Sequence, residues 1–365
     1  MSQHTVAIIG TGPDPATPTV EGFAMGYRHA EAYRANDQCQ LVGCVDLIEE
    51  HAVAFADEFD LPDEAVFTDT ASMLDTLEPE IVSVTVPPSA HEAVVTECGA
   101  HECVQAIHCE KPIADTWLGA QRLVQACWRT GTQLTFNRQR RFAKPFTEAK
   151  ALLDAKAIGT LERIEIGWGD FFDTGAHTVD LAGMFVGECP AEWVIAQLDY
   201  QAEDVRFGTH QENQMWAQWR YDSGVHGMLA TGEASHLVDA TMVLRGTDGT
   251  IAIDSSDGAT LELTQNGETS SIDVDGESIH HTPADSELYG SRLHSRAIDE
   301  MLTALETGTE SNLSGRIGLN TAEILFAGYE SVRRRERIDL PLSIADHPLE
   351  SLVESGEITP TPAQD

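Results

Sequence analysis

The sequence predicts an α/β protein with a doubly wound parallel sheet in its N-terminal part and, in its C-terminal part, an α+β domain with a large, mostly antiparallel open sheet. Its 365 residues exceed the roughly 100–200 residues of one typical domain. The first 136 or so residues alternate short strand-like runs with helical stretches, which is typical of a parallel sheet covered on both faces. Beyond about residue 160 the strand-like segments are longer and follow one another, which indicates antiparallel pairing. We therefore expect domains at 1–137 and 138–345, with a flexible tail at 346–365.

The N-terminal part contains five predicted strands with helices between them. Each strand is a short run rich in Val, Ile and other apolar residues, and helical stretches separate one strand from the next. The strands are predicted at Thr5–Ile9, Gln40–Val45, Ile81–Val86, Val104–His108 and Gln133–Phe136, and the helices near 24–36, 49–59, 89–99 and 115–130.

The C-terminal part contains eight predicted strands and three predicted helices. The segments 246–249 (Gly-Thr-Asp-Gly) and 266–267 (Asn-Gly) have the composition of hairpin turns. The last 20 or so residues contain three prolines and little apolar periodicity, which predicts a frayed tail. The strands are predicted at Leu161–Asp170, Val194–Tyr200, Glu212–Tyr221, Val225–Glu233, Ala240–Leu244, Thr250–Asp254, Thr260–Thr264 and Ser270–Val274, and the helices near 175–186, 291–306 and 316–334.

The chain is strongly acidic, with 60 Asp and Glu against 22 Lys and Arg and a formal net charge of −38. Such a field repels a phosphate backbone, so no nucleic-acid partner is expected. The carboxylates are spread along the chain rather than grouped in blocks, and no loop matches the calcium-binding pattern. The remaining interpretation is a protein from a halophile, because molar salt shortens the Debye length to about 3 Å and screens the surface charge.

The sequence carries no targeting or disulfide signal. Its start lacks the basic and apolar regions of a signal peptide and no segment approaches 18 consecutive apolar residues, so we expect a soluble, cytoplasmic protein without membrane contact. The seven cysteines include no Cys-x-x-Cys pair, so no disulfide framework is predicted. Cysteines and histidines crowd between Cys98 and Cys109, but a strand there would direct them to opposite faces, and no metal site is predicted.

A glycine motif follows the first predicted strand. Glycines at this place let backbone N–H groups approach a pyrophosphate, although a simple strand-ending turn has the same pattern. The third glycine of the fingerprint fits only if Pro13–Phe23 is an eleven-residue insertion. Prolines in this insertion remove N–H donors, so either the loop bulges away from the cradle or dinucleotide affinity is reduced. The residues expected to form the cradle are Gly10, Gly12, Ala24, Met25 and Gly26.

An acidic residue follows the second predicted strand. With the insertion discounted, Asp46 lies about 23 positions after Gly12, close to the ~20 expected for the acid that binds the ribose hydroxyls of a dinucleotide. A carboxylate there repels a 2′-phosphate, and no Arg or Lys follows it closely. The pattern favours NAD as the cofactor, with NADP possible.

Lys111 follows the predicted strand Val104–His108. Ligands of open α/β sheets bind at the carboxyl ends of the strands, so Lys111 is expected in the ligand crevice. An ordinary surface lysine is the alternative. The chain contains only four lysines, and the other three lie between positions 144 and 156, which favours a function for this one.

A second polar motif lies between Gly169 and Asp180. If a helix begins near Gly175, Asp173 lies at or just before its N-cap, and His177 and Asp180 lie one turn apart on one face. A capping role for Asp173 and a structural hydrogen bond for His177 are as compatible with the local pattern as a role in catalysis. The local sequence leaves the choice open.

Together the motifs resemble those of the Gfo/Idh/MocA oxidoreductases, over about residues 1–342. The resemblance implies an N-terminal Rossmann domain and a C-terminal α/β domain on a large open sheet. It also implies NAD(P)-dependent oxidation or reduction of a sugar, polyol or related hydroxy compound. The motifs that carry it, in order, are the glycine motif, Asp46, Val86-Pro87-Pro88-Ser89-Ala90-His91, Glu110-Lys111-Pro112, Arg141-Phe142 with Pro145, and Asp173-x-x-x-His177.

The resemblance assigns the family's catalytic trio to Lys111, Asp173 and His177, which would also contact the substrate. Histidine titrates near neutral pH and a free lysine near ~10.4. His177 is therefore the expected general acid/base, oriented by Asp173, and Lys111 the expected cation at the substrate oxygen; the reverse, with Lys111 as base, stays open. The resemblance further places Pro87, His91 and Glu110 near the cofactor, and Asn137 and Arg141 near the substrate.

Two other functions stay compatible with the sequence. One is a catalytically silent member of the fold that senses a sugar or dinucleotide or binds a partner, which an intact Lys–Asp–His trio disfavours. The other is an enzyme that uses NAD for a transient oxidation. The basic residues form no large cluster, which favours a neutral sugar or polyol as substrate. An open-faced sheet normally needs a cover, so a homodimer or homotetramer is expected.

Overall fold

The computed structural model of this chain describes residues 3–15, 24–279 and 292–362. Contacts between Cα atoms divide the chain into two compact units, with breaks after Gln139 and after Leu319. The first unit holds the described residues before the first break together with 292–319, and the second holds the remaining described residues. Each unit contains a large sheet of its own.

The sheet of the first unit has six parallel strands. Its strands are β1 (His4–Ile9), β2 (Cys39–Val45), β3 (Val66–Phe67), β4 (Ile81–Val84), β5 (Ala106–Cys109) and β6 (Gln133–Phe136). Their spatial order is β3-β2-β1-β4-β5-β6, and every pair is parallel. The order changes direction between β1 and β4, which confirms the predicted doubly wound sheet. Ligands of such sheets bind at this switch point.

Five helices lie in the described part of the first unit before the first break. Thr116 caps the fifth of them by accepting the N–H of Gly119, and Gly131, with φ of 79°, ends it. Tyr27 and Tyr33, on the first helix, are buried in one core with Phe55 of the second. The helices are α1 (Met25–Arg34), α2 (Glu49–Glu58), α3 (Thr70–Leu77), α4 (Pro88–Ala100) and α5 (Trp117–Thr130).

The second unit is built on a nine-stranded mixed sheet and a separate two-stranded one. The small sheet pairs β9 (Val205–Arg206) with β10 (Thr209–His210). The strands of the large sheet are β7 (Leu161–Gly167), β8 (Ala191–Asp199), β11 (Gln214–Tyr221), β12 (His226–Ala230), β13 (Ala240–Gly246), β14 (Gly249–Ser255), β15 (Leu261–Gln265), β16 (Glu268–Ser271) and β17 (Ile338–Asp339).

The large sheet has the order β16-β15-β14-β13-β7-β12-β11-β8-β17. Among the described residues β7 and β12 form its one parallel pair, so the predicted mostly antiparallel sheet is confirmed. Both predicted hairpins are present. Asn266 and Gly267 join β15 to β16 with φ of 53° and 80°, the left-handed pair that tight two-residue turns require.

Five further helices of the described residues follow the first break: α6 (Lys144–Asp154), α7 (Gly175–Phe185), α8 (Arg292–Thr307), α9 (Gly315–Arg334) and α10 (Pro348–Glu354). The helix α7 is buried on nearly all sides: all of its first eight residues, from Gly175 to Ala182, are buried. Within the described residues, no helix combines the length and the apolar character that crossing a bilayer requires.

The structure differs from the predicted domain limits 138–345 at one returning segment. The helix α8 (Arg292–Thr307) belongs to the first unit, where Ile298, Met301 and Leu302 are buried in the core that also contains Tyr27 and Tyr33. The reason is hydrophobic burial. The apolar face of α8 packs on α1 and is buried in the core of the first unit.

The structure also differs from the predicted tail at 346–365. Residues 348–354 form α10, which His347 caps by accepting the N–H of Glu350. Leu349 and Leu352 are buried, and the backbone of Thr361 is hydrogen-bonded to Gln201 and Glu203. Pro348 stands at the first turn, where a missing N–H is harmless, so proline marks a helix start here rather than a frayed end.

Candidate active site

The loop after β1 brings three of the predicted cradle glycines together. Gly10 and Gly12 have φ of 88° and 70°, which a residue with a Cβ adopts only with strain. A Cβ on Gly10 would lie 2.6 Å from Cγ1 of Val86, and one on Gly26 would lie 2.9 Å from the Thr11 backbone. Gly26 therefore lets α1 approach the loop closely, which is the packing role of the third glycine in a dinucleotide fingerprint.

The predicted insertion, Pro13–Phe23, lies mostly outside the described residues, since 16–23 are not described. Where the description resumes, Ala24 has φ of 50° and stands immediately before α1, which begins at Met25. The effect of the insertion on dinucleotide affinity stays a prediction.

Asp46, immediately after β2, is hydrogen-bonded to the loop that contains Gly10 and Gly12, here called the glycine loop. Its Oδ2 atom accepts the N–H of Gly12 at 2.9 Å and the hydroxyl of Thr11 at 3.1 Å, while Oδ1 accepts the N–H of Ile48 at 2.9 Å. Leu47 and Ile48 follow as exposed apolar residues, 91% and 50% exposed. The acid is thus fixed in orientation, and the two residues after it carry no charge that would attract a 2′-phosphate.

The segment after β4 is tied to the segment after β5 by His91. Its Nε2 atom lies 2.9 Å from the carbonyl oxygen of Val86, and Nδ1 lies 3.0 Å from the carbonyl oxygens of Pro112 and Ile113. His91 is fully buried, with its ring between the carbonyl groups of these two segments, and its predicted contact with the cofactor stays a prediction. Pro87, by contrast, is exposed immediately before α4.

Glu110 is buried behind the lysine rather than presented to a ligand. Its Oε1 atom accepts from Nε2 of His29 at 2.8 Å and from the Asn137 amide at 2.6 Å, and its Oε2 atom accepts the N–H of Lys111 at 3.2 Å. Burial alone would raise the pKa of Glu110, but the His29 hydrogen bond and charge, with Asn137 and Lys111, lower it to about 2. The carboxylate stays ionised within this internal network, and its predicted contact with the cofactor stays a prediction.

Lys111 itself is partly exposed and follows β5 at the carboxyl edge of the parallel sheet. Its backbone is held from two sides, by Glu110 at its own N–H and by His91 at the next carbonyl group. The chain can thus present the ammonium group of Lys111 from a fixed backbone.

Two residues predicted to bind substrate have internal partners instead. Asn137 is 0% exposed and donates to Glu110. Arg141, in the second unit, is 3% exposed and forms a double hydrogen bond with the carboxylate of Asp180 and a further bond to Glu188. Both side chains turn into the protein, where buried polar groups need partners, and their predicted contact with the substrate stays a prediction.

The Gly169–Asp180 segment begins α7 as predicted, but a different acid organises its start. Asp170 accepts the N–H and the hydroxyl of Thr174 at 2.9 and 2.8 Å. Thr174 is the N-cap residue and caps no N–H with its side chain. Asp173 is partly exposed and His177 lies in the first turn of α7, 3% exposed. Asp170 therefore shapes the start of this turn through its two bonds to Thr174.

Glu212, two residues before β11, holds the same turn. Its Oε1 atom accepts the N–H of Phe171 at 2.8 Å and the hydroxyl of Thr231 at 3.0 Å, and its Oε2 atom accepts the hydroxyl of Tyr329 at 2.7 Å. Burial raises the pKa of Glu212 to about 7; hydrogen bonds from Tyr329 and Phe171 oppose the shift and the charge of Asp170 adds to it.

One buried cluster in the described part of the chain has the composition of a metal site. Ligand atoms of His29, Glu110 and His294 all lie within 4.8 Å of one another. The sequence could not indicate it, because the three residues come from α1, the end of β5 and α8. The cysteines between positions 98 and 109 are not part of it. His29 and Glu212 were missed because each has polar neighbours in the sequence, Arg28 beside His29 and Gln211 and Asn213 beside Glu212, so no local pattern distinguishes them.

Two family models match the chain in succession. Residues 5–138 match GFO_IDH_MocA, described as an oxidoreductase family with an NAD-binding Rossmann fold. Residues 163–340 match GFO_IDH_MocA_C, the C-terminal alpha/beta domain of that oxidoreductase family. The N-terminal unit is therefore an NAD-binding Rossmann domain, and the two matches account for most of the chain.

Individual proteins with a similar sequence or structure include two dehydrogenases. D-apiose dehydrogenase of Paraburkholderia graminis is 23% identical over 358 residues, which cover 90% of this chain and 91% of that protein. Inositol 2-dehydrogenase of Rhizobium meliloti is 24% identical over 339 residues, covering 87% and 96%. An oxidoreductase from Agrobacterium radiobacter, crystallised with NAD+, L-tartaric acid and magnesium, superposes with a TM-score of 0.75 at 19% identity, covering 93% and 98%. This structural match shows a shared fold.

Proposed function

This chain belongs to the Gfo/Idh/MocA oxidoreductase family, and we propose that it transfers a hydride between NAD and a secondary alcohol or carbonyl group of a sugar, polyol or related compound. Relatives of nearly full-length coverage are named for a sugar, D-apiose, and a polyol, inositol. A net charge of −38 favours a neutral substrate over a phosphorylated one.

The glycine loop fits a dinucleotide. Among the described residues, an added Cβ on Gly12 would meet nothing within 4 Å, so this side of the loop offers room for a phosphate group, while Gly10 and Gly26 are closed by protein on their Cβ side. Asp46 is oriented to bind the ribose hydroxyls of NAD and to repel a 2′-phosphate. When bound, NAD supplies the hydride acceptor or donor. The residues proposed to hold the pyrophosphate are Gly10, Gly12, Ala24, Met25 and Gly26.

One observation carries the proposal: within the first unit, the glycine loop is in contact with the segment that follows β5 and contains Lys111, here called the lysine loop. Gly10 packs against Val86, and the ring of His91 lies between the carbonyl groups of Val86 and Pro112, within 3.0 Å of both oxygens. Both loops lie at the carboxyl edge of one parallel sheet. Lys111 is therefore fixed with respect to the dinucleotide cradle, which is the requirement for a cation that acts beside a bound cofactor.

Each member of the trio has a proposed role. His177 accepts the hydroxyl proton of the alcohol during oxidation and returns it during reduction. Asp173 orients the imidazole. Lys111 binds the substrate oxygen and stabilises the alkoxide that develops as the proton leaves.

The proposal is tested with a panel of sugars and polyols against NAD and NADP in about 2 M KCl, read by the absorbance of the reduced nicotinamide. Lys111→Ala and His177→Asn should each lower kcat by on the order of 10²- to 10⁴-fold while NADH fluorescence shows retained binding. Lys150→Ala is the matched control, because Lys150 is a helix lysine that pairs with Asp154; its kcat should equal that of the wild type.

Other outcomes would replace the proposal. NADH binding without turnover of any panel member would indicate a sensor, and product formed with catalytic amounts of NAD would indicate a transient oxidation. Lys111→Arg separates the two assignments of the base. It should keep part of the activity if Lys111 acts only as a cation, and should be as inactive as Lys111→Ala if Lys111 takes the proton.

A further inference from the structure

A buried chain of polar contacts runs from α1 to the backbone of Lys111. Nδ1 of His29 lies 2.6 Å from the hydroxyl oxygen of Ser83, and Nε2 of His29 lies 2.8 Å from Oε1 of Glu110. The other oxygen of Glu110 accepts the N–H of Lys111 at 3.2 Å. Asn137 supports the same carboxylate at 2.6 Å. His29 thus reaches the proposed catalytic lysine through one intervening side chain.

We propose that His29 is a positioning residue for Lys111: by holding one oxygen of Glu110, it fixes the carboxylate so that the other oxygen holds the Lys111 backbone. The inference rests on the proposed function only for the role of Lys111. Nothing in the sequence motifs assigns His29, because it lies within α1, 17 positions after Gly12 of the loop after β1.

Burial makes the His29 contact necessary. His29 and Glu110 are 1% and 8% exposed, and a buried carboxylate stays ionised only where donors surround it. Removing one charge-assisted donor leaves Glu110 with the Asn137 amide and the Lys111 N–H. The free energy of the buried carboxylate is then lowered if it rotates toward solvent or takes up a proton. Either change alters its contact with the Lys111 N–H.

The same helix also contacts the glycine loop. Gly26, one turn before His29 on α1, packs against the backbone of Thr11. A single helix therefore holds the dinucleotide loop at its first turn and Glu110 at its second. This arrangement explains why a histidine in the interior of a helix can influence Lys111, which follows it by 82 positions.

A metal ion held by His29, Glu110 and His294 is the competing interpretation of the cluster. Both ring nitrogens of His29 already lie within hydrogen-bond distance of protein oxygens, Ser83 on one side and Glu110 on the other. A metal would have to replace the His29–Glu110 contact. We therefore favour the hydrogen-bonded network, and the test includes zinc.

The low lysine content of the chain gives a direct readout. Labelling with ¹⁵N-lysine yields four backbone amide signals, from Lys111, Lys144, Lys150 and Lys156, and the signal lost in Lys111→Arg identifies Lys111. His29→Leu should shift the Lys111 amide signal and leave the other three in place. His29→Gln, whose amide can still donate to Glu110, should restore most of the shift.

Thr135→Val is the matched control for loss of a buried polar group in the same unit. Thr135 is 0% exposed and binds His108 rather than Glu110. It should leave the Lys111 signal unmoved. An unshifted Lys111 signal in folded His29→Leu, or an equal shift in Thr135→Val, would overturn the positioning role.

Kinetics separate this inference from the proposed function. His29→Leu should lower kcat by about 10- to 100-fold, with little change in the Kd for NADH, and should have no further effect in a Lys111→Ala background. If Lys111→Ala keeps full turnover, the proposed function fails; if it is inactive and His29→Leu is as active as the wild type, the positioning role alone fails. Calorimetry with ZnCl₂ tests the metal interpretation. Stoichiometric binding of zinc that is abolished in His294→Gln would also overturn the positioning role of His29.

Discussion

The carboxylate of Asp46 accepts the backbone N–H of Gly12 at 2.9 Å, so the acid at the end of β2 and the glycine loop after β1 form one unit. Two neighbouring parallel strands bring them together, because their carboxyl ends lie at the same edge of the sheet. The bond restricts the rotation of Asp46. A carboxylate that is already oriented loses little side-chain entropy when it binds a diol.

Asp46→Ala should weaken NADH binding by about 10-fold or more, because charge-assisted hydrogen bonds contribute about 1.5–3 kcal/mol. It should also reduce the preference for NAD over NADP, since the repulsion of the 2′-phosphate is lost. Titration of both reduced cofactors by fluorescence measures the two effects. Glu50→Gln removes a nearby exposed charge on α2 and serves as control; equal effects in both variants would contradict a specific role for Asp46.

Gly10→Ala should destabilise the protein more than Gly131→Ala does. Both glycines have positive φ, 88° and 79°, but a Cβ on Gly10 would lie 2.6 Å from Val86, whereas one on Gly131 would meet no described residue within 4 Å. Backbone strain alone should lower the free energy of unfolding of Gly131→Ala by about 1–2 kcal/mol. In Gly10→Ala, overpacking against Val86 should lower it by about 1–3 kcal/mol more. Denaturant unfolding measures both, and equal losses would contradict the close approach of Val86.

Much of the N-terminal unit could be predicted because its signals are local. Short apolar runs separated by helical stretches predict parallel strands, and Gly10, Gly12 and Asp46 then meet at one edge without further information. The Asn266-Gly267 hairpin is equally local, since the turn type depends on two residues.

The direction in which a side chain turns at the end of a strand could not be predicted. Glu110 and Asn137 follow β5 and β6, where ligand contacts are common, yet both face the interior because His29 lies there. His29 and Glu110 are 81 positions apart, and His294 returns on a helix far later in the chain. Such partners are set by tertiary packing, which no local pattern encodes.

Stability should rise with salt. A net charge of −38 repels itself, and raising KCl from about 0.1 M to about 1 M shortens the Debye length from about 10 Å to about 3 Å. The urea midpoint should therefore increase steeply over this range. Sucrose at equal osmolality is the control, because it stabilises proteins without screening charge. A urea midpoint that does not change with KCl would contradict the predicted adaptation to salt.

Light scattering in the same buffers tests the predicted dimer or tetramer.

Arg141→Met should affect stability rather than substrate affinity. Arg141 and Asp180 are 3% and 1% exposed and joined by a double hydrogen bond. Loss of the cation leaves a buried carboxylate without its main partner, which costs about 3–5 kcal/mol. Denaturant unfolding and KM in the panel substrate measure the two effects separately. An increase in KM with unchanged unfolding free energy would return Arg141 to the substrate site.

Glu212 should make the protein less stable as pH rises toward neutrality. Burial raises the pKa of Glu212 from 4.5 to about 7 in the folded protein, so between these values the folded state holds a proton that the unfolded chain releases. The contribution is fully present below about pH 4.5 and is lost as pH rises through about 7, with a slope of at most about 1.4 kcal/mol per pH unit.

Urea unfolding at several pH values between about 5 and 8 measures this contribution as the difference between the wild type and Glu212→Gln. The glutamine can still accept from Phe171 and Thr231 but does not titrate, so the fall in unfolding free energy should be smaller in the variant. Other titrating groups, including buried His347, are common to both proteins and cancel in the difference. Parallel pH profiles would show that Glu212 is already ionised in this window, because its bonds from Phe171, Thr231 and Tyr329 would then outweigh its burial.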